Sequence, residues 1–419
     1  MMARKVTVPL LGAIFVLLMT ACGSEAAREN EKEAGGSAPK EAGQSATTAE
    51  GSAQQPDSGE GSGGLTRIGR AATPVFESSY VSPLTEVFGD VFVGQENFVA
   101  SNSVLRASPG QRVEIGSRSN AQDNVVVRAR EGSVAVGEES SLSHHAVVRD
   151  SEIGDSVFVG YNAEVRGSRV GDGAFVYHGA LIDGVEIPEG AFVGPGEEVT
   201  DQDAAALPMV EDVDIDEYYD RKQTLENNLE FARAYISFYE SQGYDALLDV
   251  GPNSKTFFSP EQVEPQIDET VELEEFARIV GDVQIAEGSS VGQRATIRSD
   301  EGTPIFIGRG AIVGDRVTFH ALRDTEVRIG EYLVASDDAT LHGPLEMGNS
   351  NVVGDSAVVF RVRVGDDVQI GEGAVVVGPA GEGLALEIPD GTLIPAGAVV
   401  TSEKDLEALT NYLERDRRC

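Results

Sequence analysis

The chain has 419 residues, enough for two or three domains at roughly 150 residues each. Its 32 Lys and Arg against 70 Asp and Glu give a net charge of −38, a field that repels polyanions and argues against nucleic-acid binding. High glycine, 48 residues, with no Trp and 6% aromatics, suits turn-rich β structure rather than a helical bundle, and two cysteines cannot build a disulfide framework.

At the N-terminus, Arg4 and Lys5 precede an apolar run from Val6 to Met19, and Thr20-Ala21 lead into Cys22. The run is too short for a comfortable bilayer span. It resembles a bacterial lipoprotein signal over residues 1–21, which implies lipidation of Cys22 and an extracytoplasmic protein anchored to the cell membrane. An ordinary cleaved signal or an uncleaved anchor would export the chain as well. Residues 22–66 are mostly Gly, Ser, Ala, Glu and Gln, too poor in large apolar groups to offset ordering entropy, and read as a disordered tether. Cys419, behind Arg417-Arg418, reads as a frayed bystander.

From residue 67 an aliphatic residue recurs every six positions: Val87, Val93, Val99, Leu105; then Ile115, Ala121, Val127; then Val136, Leu142, Val148; and on to Ile187, Val193 and Val199. A period of six fits neither a helix nor an alternating strand; it fits a hexapeptide β-helix, in which three short strands make one triangular coil. Residues 67–200 are the first such prism. Residues 201–270 hold a helix between Asp214 and Gly243, with an apolar stripe through Leu225, Leu229, Ala232, Ile236 and Tyr239, and then a proline-punctuated connector. The beat returns over residues 271–400, through Ile279, Ile285, Val291, Ile297, Ile307, Val313, Phe319, Ile329, Ala335 and Leu341. Residues 401–419 close with a short helix in which Ser402 precedes Asp405 in a capping arrangement. Leu105 and Ile297 lie 192 positions apart, and Ile187 and Ile388 lie 201 apart, the pattern of an internal duplication with small insertions. The fold class is all-β, two tandem parallel β-helices, each followed by an α-helix.

The run from Arg298 to Gly308 (RSDEGTPIFIG), with His320-Ala321-Leu322, Leu341-His342-Gly343-Pro344, Ile388-Pro389-Asp390-Gly391 and Ile394-Pro395-Ala396-Gly397, closely resembles the γ-class carbonic anhydrases. The likeness covers about residues 73–240 and 265–405. It implies left-handed β-helices in a threefold ring, by homo- or hetero-oligomerisation. It also implies zinc or iron held between neighbours by two histidines of one subunit and a third of the next, and reversible hydration of CO2 to bicarbonate.

Carried onto this chain, the resemblance gives neither prism a full ligand set. The second prism has His320 and His342 at the paired positions but Asp337 at the neighbour-serving one. The first has His144 at the neighbour-serving position but Arg128 and Arg149 at the paired ones, and arginine has no lone pair to offer. The period supports a shared site. His320 and His342 follow third-corner residues of adjacent coils and stack on one edge, whereas His144 lies past a second corner, so one prism cannot close the site alone. His145 and His178 have no such register. The expected centre is composite, with His144, His320 and His342 as ligands; Asp337 is the alternative ligand if like prisms assemble separately. The resemblance further implies catalytic support from Glu301, Gln122 and Asn120, and salt bridges of assembly at Arg106, Arg298, Asp123 and Asp315. Arg323 replaces a proton-relaying Glu. Two other readings stand beside the enzyme: a non-catalytic scaffold or assembly protein of the same family, and a hexapeptide acyltransferase.

Overall fold

In the computed structural model, residues 64–69, 73–200, 207–213, 221–301, 304–380 and 384–416 are described; Cys22 and Cys419 lie outside them. The period of six becomes three columns of inward side chains. Leu105, Val127 and Val148 pair in parallel register and are wholly buried, as are Val165 and Ile182 above them. Turn residues between columns need a left-handed backbone, which Asn and Gly adopt at little cost. One corner accordingly reads Asn102, Asn124, His145, Asn162 and Gly179, all at positive φ. The result is a left-handed parallel β-helix.

The first prism opens differently from the sequence expectation. Thr66–Ile68 runs antiparallel to Val91–Val93, and Val75–Phe76 antiparallel to Ser79–Val81, before parallel stacking takes over. One sheet then presents Tyr80, Phe98, Asn120, Ser141, Phe158, Phe175 and Phe192 outward in register. Such an aromatic face must be covered, and two elements cover it. Helix α1 (Arg221–Gln242) lays Phe231, Ala232, Tyr235 and Phe238 on Tyr80 and Phe98, with Phe98 and Phe231 ring centroids 5.4 Å apart. It ends at Gly243, whose N–H bonds the Tyr239 carbonyl at φ +87°. The second prism covers the rest, packing Val358, Phe360, Val375 and Val377 against Phe158, Phe175 and Phe192.

The second prism starts earlier than its clear six-residue beat. Val250–Gly251 and Gln266–Ile267, within the expected connector, already pair with the strands at Arg278–Gly281 and Val283–Ile285. Their neighbours Pro252 and Pro265 sit just outside the paired residues, where a missing N–H costs no ladder bond. The two prisms meet along the asparagine corner. Asn102 Nδ2 donates to the carbonyls of Phe276 and Arg294, Asn124 Nδ2 to that of Arg316, and Asn162 Nδ2 to that of Asp338, at 3.0–3.2 Å. Helix α2 (Glu403–Asp416) closes the second prism: Ser402 Oγ donates to Asp405 Oδ2 and accepts the Asp405 N–H, and Leu406 joins the core.

Candidate metal centre

Strand alternation sets two of the ligands. Phe319 and Leu341 point into the second prism, so their successors His320 and His342 point out, and the two strands pair them side by side. His144 belongs to the asparagine corner of the first prism, which the interface presses against the same spot. All three imidazoles are buried, and each offers a ring nitrogen within 4.8 Å of the others. Ring centroids are 5.1–5.7 Å apart.

The outer nitrogens decide which way the lone pairs face. His320 Nε2 lies 3.1 Å from Asp300 Oδ1, and His342 Nδ1 lies 3.0 Å from the Gly343 carbonyl, so both are donors. Their other nitrogens, His320 Nδ1 and His342 Nε2, face each other at 3.2 Å. A cation must sit between them, either a proton on one ring or a metal. A single proton would satisfy that pair and leave His144 without a hydrogen-bond partner at either ring nitrogen; its Nδ1 is 3.5 Å from Asp123 Oδ2, beyond bonding geometry. A metal satisfies all three. Burial, reinforced by the other histidines, holds the pKa values of His144 and His342 well below the ordinary imidazole range, the neutral state a metal requires. The donor set therefore fits a three-histidine metal site.

A buried ionic bridge fixes the ligands from behind. Arg298 donates through Nε to Asp123 Oδ2 at 2.9 Å, across the prism interface, and through Nη1 to Asp300 Oδ2. Asp300 Oδ2 also accepts the Tyr235 hydroxyl at 2.8 Å, which ties helix α1 to the centre. Burial would raise the Asp300 carboxyl, but Arg298 and the bonds from His320 and Tyr235 outweigh it and hold it well below the usual range. Glu301, next in sequence, is buried too. Asn227 Nδ2, at 3.4 Å, and the Arg323 backbone N–H reach it, but desolvation outweighs them, and its carboxyl is pushed up to about 7.

The remaining expected residues scatter. Gln122 reaches the centre indirectly, its Oε1 accepting the His144 backbone N–H at 3.2 Å. Asn120 instead exchanges hydrogen bonds with Ser141 and lines a cleft of about 300 Å³ against helix α1. Asp337 stands outside the cluster; it is exposed, and its Oδ1 accepts the Asp315 N–H. Among the assembly positions, Arg298 and Asp123 pair within the chain, Asp315 accepts the Gln293 N–H, and exposed Arg106 has no ion pair among the described residues. Arg323 lies over Phe257 and Phe258 of the connector. His145 and His178, for which the period offered no role, are interface residues: His145 Nε2 bonds Thr318 Oγ1, and His178 Nδ1 accepts the Tyr161 N–H. Asp300, Tyr235, Asn227 and Tyr161, which stacks 4.9 Å from His342, were not foreseen. Asp300 could have been: it follows the strand Thr296–Ser299 and lies two residues past Arg298, which pairs in register with His320.

No family model matches the chain. The carbonic anhydrase of Methanosarcina thermophila is 32% identical over 184 residues, covering 39% of this chain and 72% of that protein. The carboxysome assembly protein CcmM of a Synechocystis species is 32% identical over 170 residues, covering 38% of this chain but 24% of CcmM. Gamma carbonic anhydrase 1 of Arabidopsis thaliana mitochondria is 31% identical over 102 residues, covering 23% of this chain and 37% of that protein. An enzyme and an assembly protein thus stand among the relatives, and the left-handed prism and the three converging histidines agree with the alignments: the chain belongs to the γ-carbonic anhydrase family.

Proposed function

We propose that the chain catalyses reversible hydration of CO2 to bicarbonate at one metal centre, shared between its two prisms and held by His144, His320 and His342. The observation that carries this reading is the convergence of three buried imidazoles, one of them, His144, with no hydrogen bond to either ring nitrogen. The metal is zinc or iron, and when bound it supplies a Lewis acid that brings the pKa of water toward neutrality. The protein supplies the rest. Asp300 and the Gly343 carbonyl hold the tautomers of His320 and His342, Gln122 holds the backbone of His144, and the interface keeps the centre dry. Glu301, with a pKa near 7, can exchange a proton with water at neutral pH.

The test is elemental analysis of the purified chain, prepared anaerobically with zinc or iron supplied, beside a CO2-hydration assay. The expected content is close to one ion per chain, lost together with activity on chelation. A value near two would require separate sites in the two prisms. A value near zero favours the second reading, a non-catalytic scaffold or assembly protein. That reading draws support from CcmM and from Arg128, Arg149 and Asp337 at half of the six ligand positions.

The proposal extends to the origin and placement of the chain. The two prisms derive from a tandem duplication, supported by equivalent corners 192 positions apart, as at Asn102 and Arg294. Cys22 carries a lipid that holds the protein outside the cytoplasmic membrane. Cys22→Ser should move the protein from the membrane to the soluble fraction; unchanged partition would remove the anchor.

A further inference from the structure

At an offset of 192 positions, Arg298, Asp300, His320 and Leu322 of the second prism correspond to Arg106, Ser108, Arg128 and Arg130 of the first. In the second prism the set is balanced, because the Asp300 carboxylate pairs with Arg298 and the other two side chains bring no fixed charge. In the first prism the carboxylate has become a hydroxyl and two guanidiniums have been added. The same four positions there carry three positive charges and no negative one.

These side chains surround one space. Arg106 and Arg128 pair in register on the strands Val104–Ala107 and Val126–Ala129, and Ser108 and Arg130 follow directly on those strands. Partners across such a ladder stand about 4.8 Å apart, where like charges repel. Together the four line a cavity of about 440 Å³. Acidic groups close by are engaged elsewhere: Glu86 with Arg294, Glu164 with Arg149 and Arg166, and Asp150 Oδ1 with the backbone N–H groups of Arg130, Glu131 and Gly132 at 2.6–3.1 Å. Arg106, Arg128 and Arg130 have no ion pair among the described residues. The Arg128 Nε is buried without a hydrogen-bond partner. Burial and the guanidiniums of Arg149, Arg106 and Arg130 hold Arg128 below the ordinary arginine range, the mark of a repulsion that no carboxylate relieves.

The backbone gives these cations little room to move apart. Besides the three bonds to Asp150, the Ser108 N–H donates to the Ala129 carbonyl and the Ser108 carbonyl accepts the Gln111 N–H, at 2.8 and 2.9 Å. Arg106 lies over the Phe88 ring, 5.5 Å from its centroid. Three cations fixed around a hollow, with a hydroxyl beside them, form a receptor for an anion.

We propose that this cavity binds a phosphate group, either inorganic phosphate or the phosphate of a monoester. Guanidinium forks match phosphate oxygens bidentately, and three of them suit a dianion better than a singly charged ion. The Ser108 hydroxyl supplies a further donor. One phosphate fills only part of 440 Å³, which leaves room for the organic portion of an ester. The net charge of −38 does not forbid this, because charges beyond a Debye length are screened while the three arginines act at contact. The strand positions that orient a histidine cluster in one prism thus hold an anion in the other. The site does not depend on a bound metal or on CO2 hydration.

The test is isothermal titration calorimetry on the purified full chain in detergent, with inorganic phosphate and glycerol 3-phosphate as separate probes. Phosphate should bind once per chain, and an equal concentration of chloride should not displace it. Chelated and metal-loaded protein should give the same affinity, which separates this site from phosphate held on the metal. Arg128→Gln and Arg130→Gln should each weaken binding at least tenfold, and Arg128→Lys, which keeps the charge but loses the fork, by less. The exposed Arg169, on another sheet, is the control, and Arg169→Gln should change nothing. Phosphate should also raise the thermal midpoint of the wild type but not that of Arg128→Gln/Arg130→Gln, which should fold as stably without phosphate because it removes like-charge repulsion. Tighter binding of glycerol 3-phosphate identifies an ester as the ligand, and tighter binding of phosphate the free ion. The absence of saturable binding of both probes, its loss on chelation, or its survival in the folded double variant would each overturn the proposal.

Discussion

His144→Ala removes bound metal and CO2 hydration as completely as His320→Ala or His342→Ala, each by more than about 100-fold, since even partners behind the ligands cost 10–100-fold. The expectation is unusual because His144 lies on the other prism, 176 positions before His320. It follows from geometry: ligand nitrogens of all three lie within 4.8 Å, and His144 has no competing hydrogen bond to either ring nitrogen. Asp337→Ala should change metal content and rate by less than about twofold, because Asp337 is exposed and engaged with the Asp315 amide. If separate prisms built their own sites, the order would reverse, with Asp337 essential and His144 dispensable. Metal content read beside thermal unfolding separates ligand loss from misfolding. Metal affinity should also fall on acidification, because the cation displaces whatever proton lies between His320 and His342. Full metal content and wild-type hydration in His144→Ala would end the shared-site reading.

Much of this architecture is readable in the sequence because a period of six leaves little freedom. An inward residue at Phe319 and Leu341 forces the next residue outward, and parallel stacking puts His320 beside His342 without any knowledge of the rest. The chemistry behind the ligands is harder to read. Asp300 and Arg298 also face outward, but the period cannot say whether an outward position meets solvent, helix α1 or the other prism. Tyr235 lies on a helix whose landing place is set by Tyr80 and Phe98, more than 130 positions earlier. Asn120 shows the opposite failure: the family resemblance implied catalytic support from it, whereas its side chain is spent on Ser141 and the cleft under α1. The antiparallel strands at Thr66–Ile68 and Val75–Phe76, and the early strands at 250–251 and 266–267, fall where no six-residue beat can be counted.

Arg298→Ala should cost about 3–5 kcal/mol of folding stability, the usual penalty for removing one partner from a buried ionic bridge. Its guanidinium is the only cation paired to two wholly buried carboxylates among the described residues, Asp123 from the first prism and Asp300 from the second. Without it, both must stay charged in a dry interface or take up protons. The sign of the pH dependence follows. The folded pKa of Asp300 is depressed, with Arg298 the chief favourable cause, so the stability it contributes is present above the unfolded value of about 3.9 and is lost as pH falls below it. The gap between wild type and Arg298→Ala, measured by urea unfolding, should therefore be widest near neutrality and shrink steadily below about pH 4. Arg298→Gln/Asp123→Asn, which removes one charge of each sign and leaves Asp300 to orient His320, should recover part of the loss. A gap under about 1 kcal/mol at pH 7, or one that widens in acid, would mean that the two prisms are held by their apolar and asparagine contacts and that the bridge serves only to aim the histidines. In that case Arg298→Ala would still lose metal while remaining folded, because His320 is oriented by the Asp300 carboxylate that Arg298 holds in place.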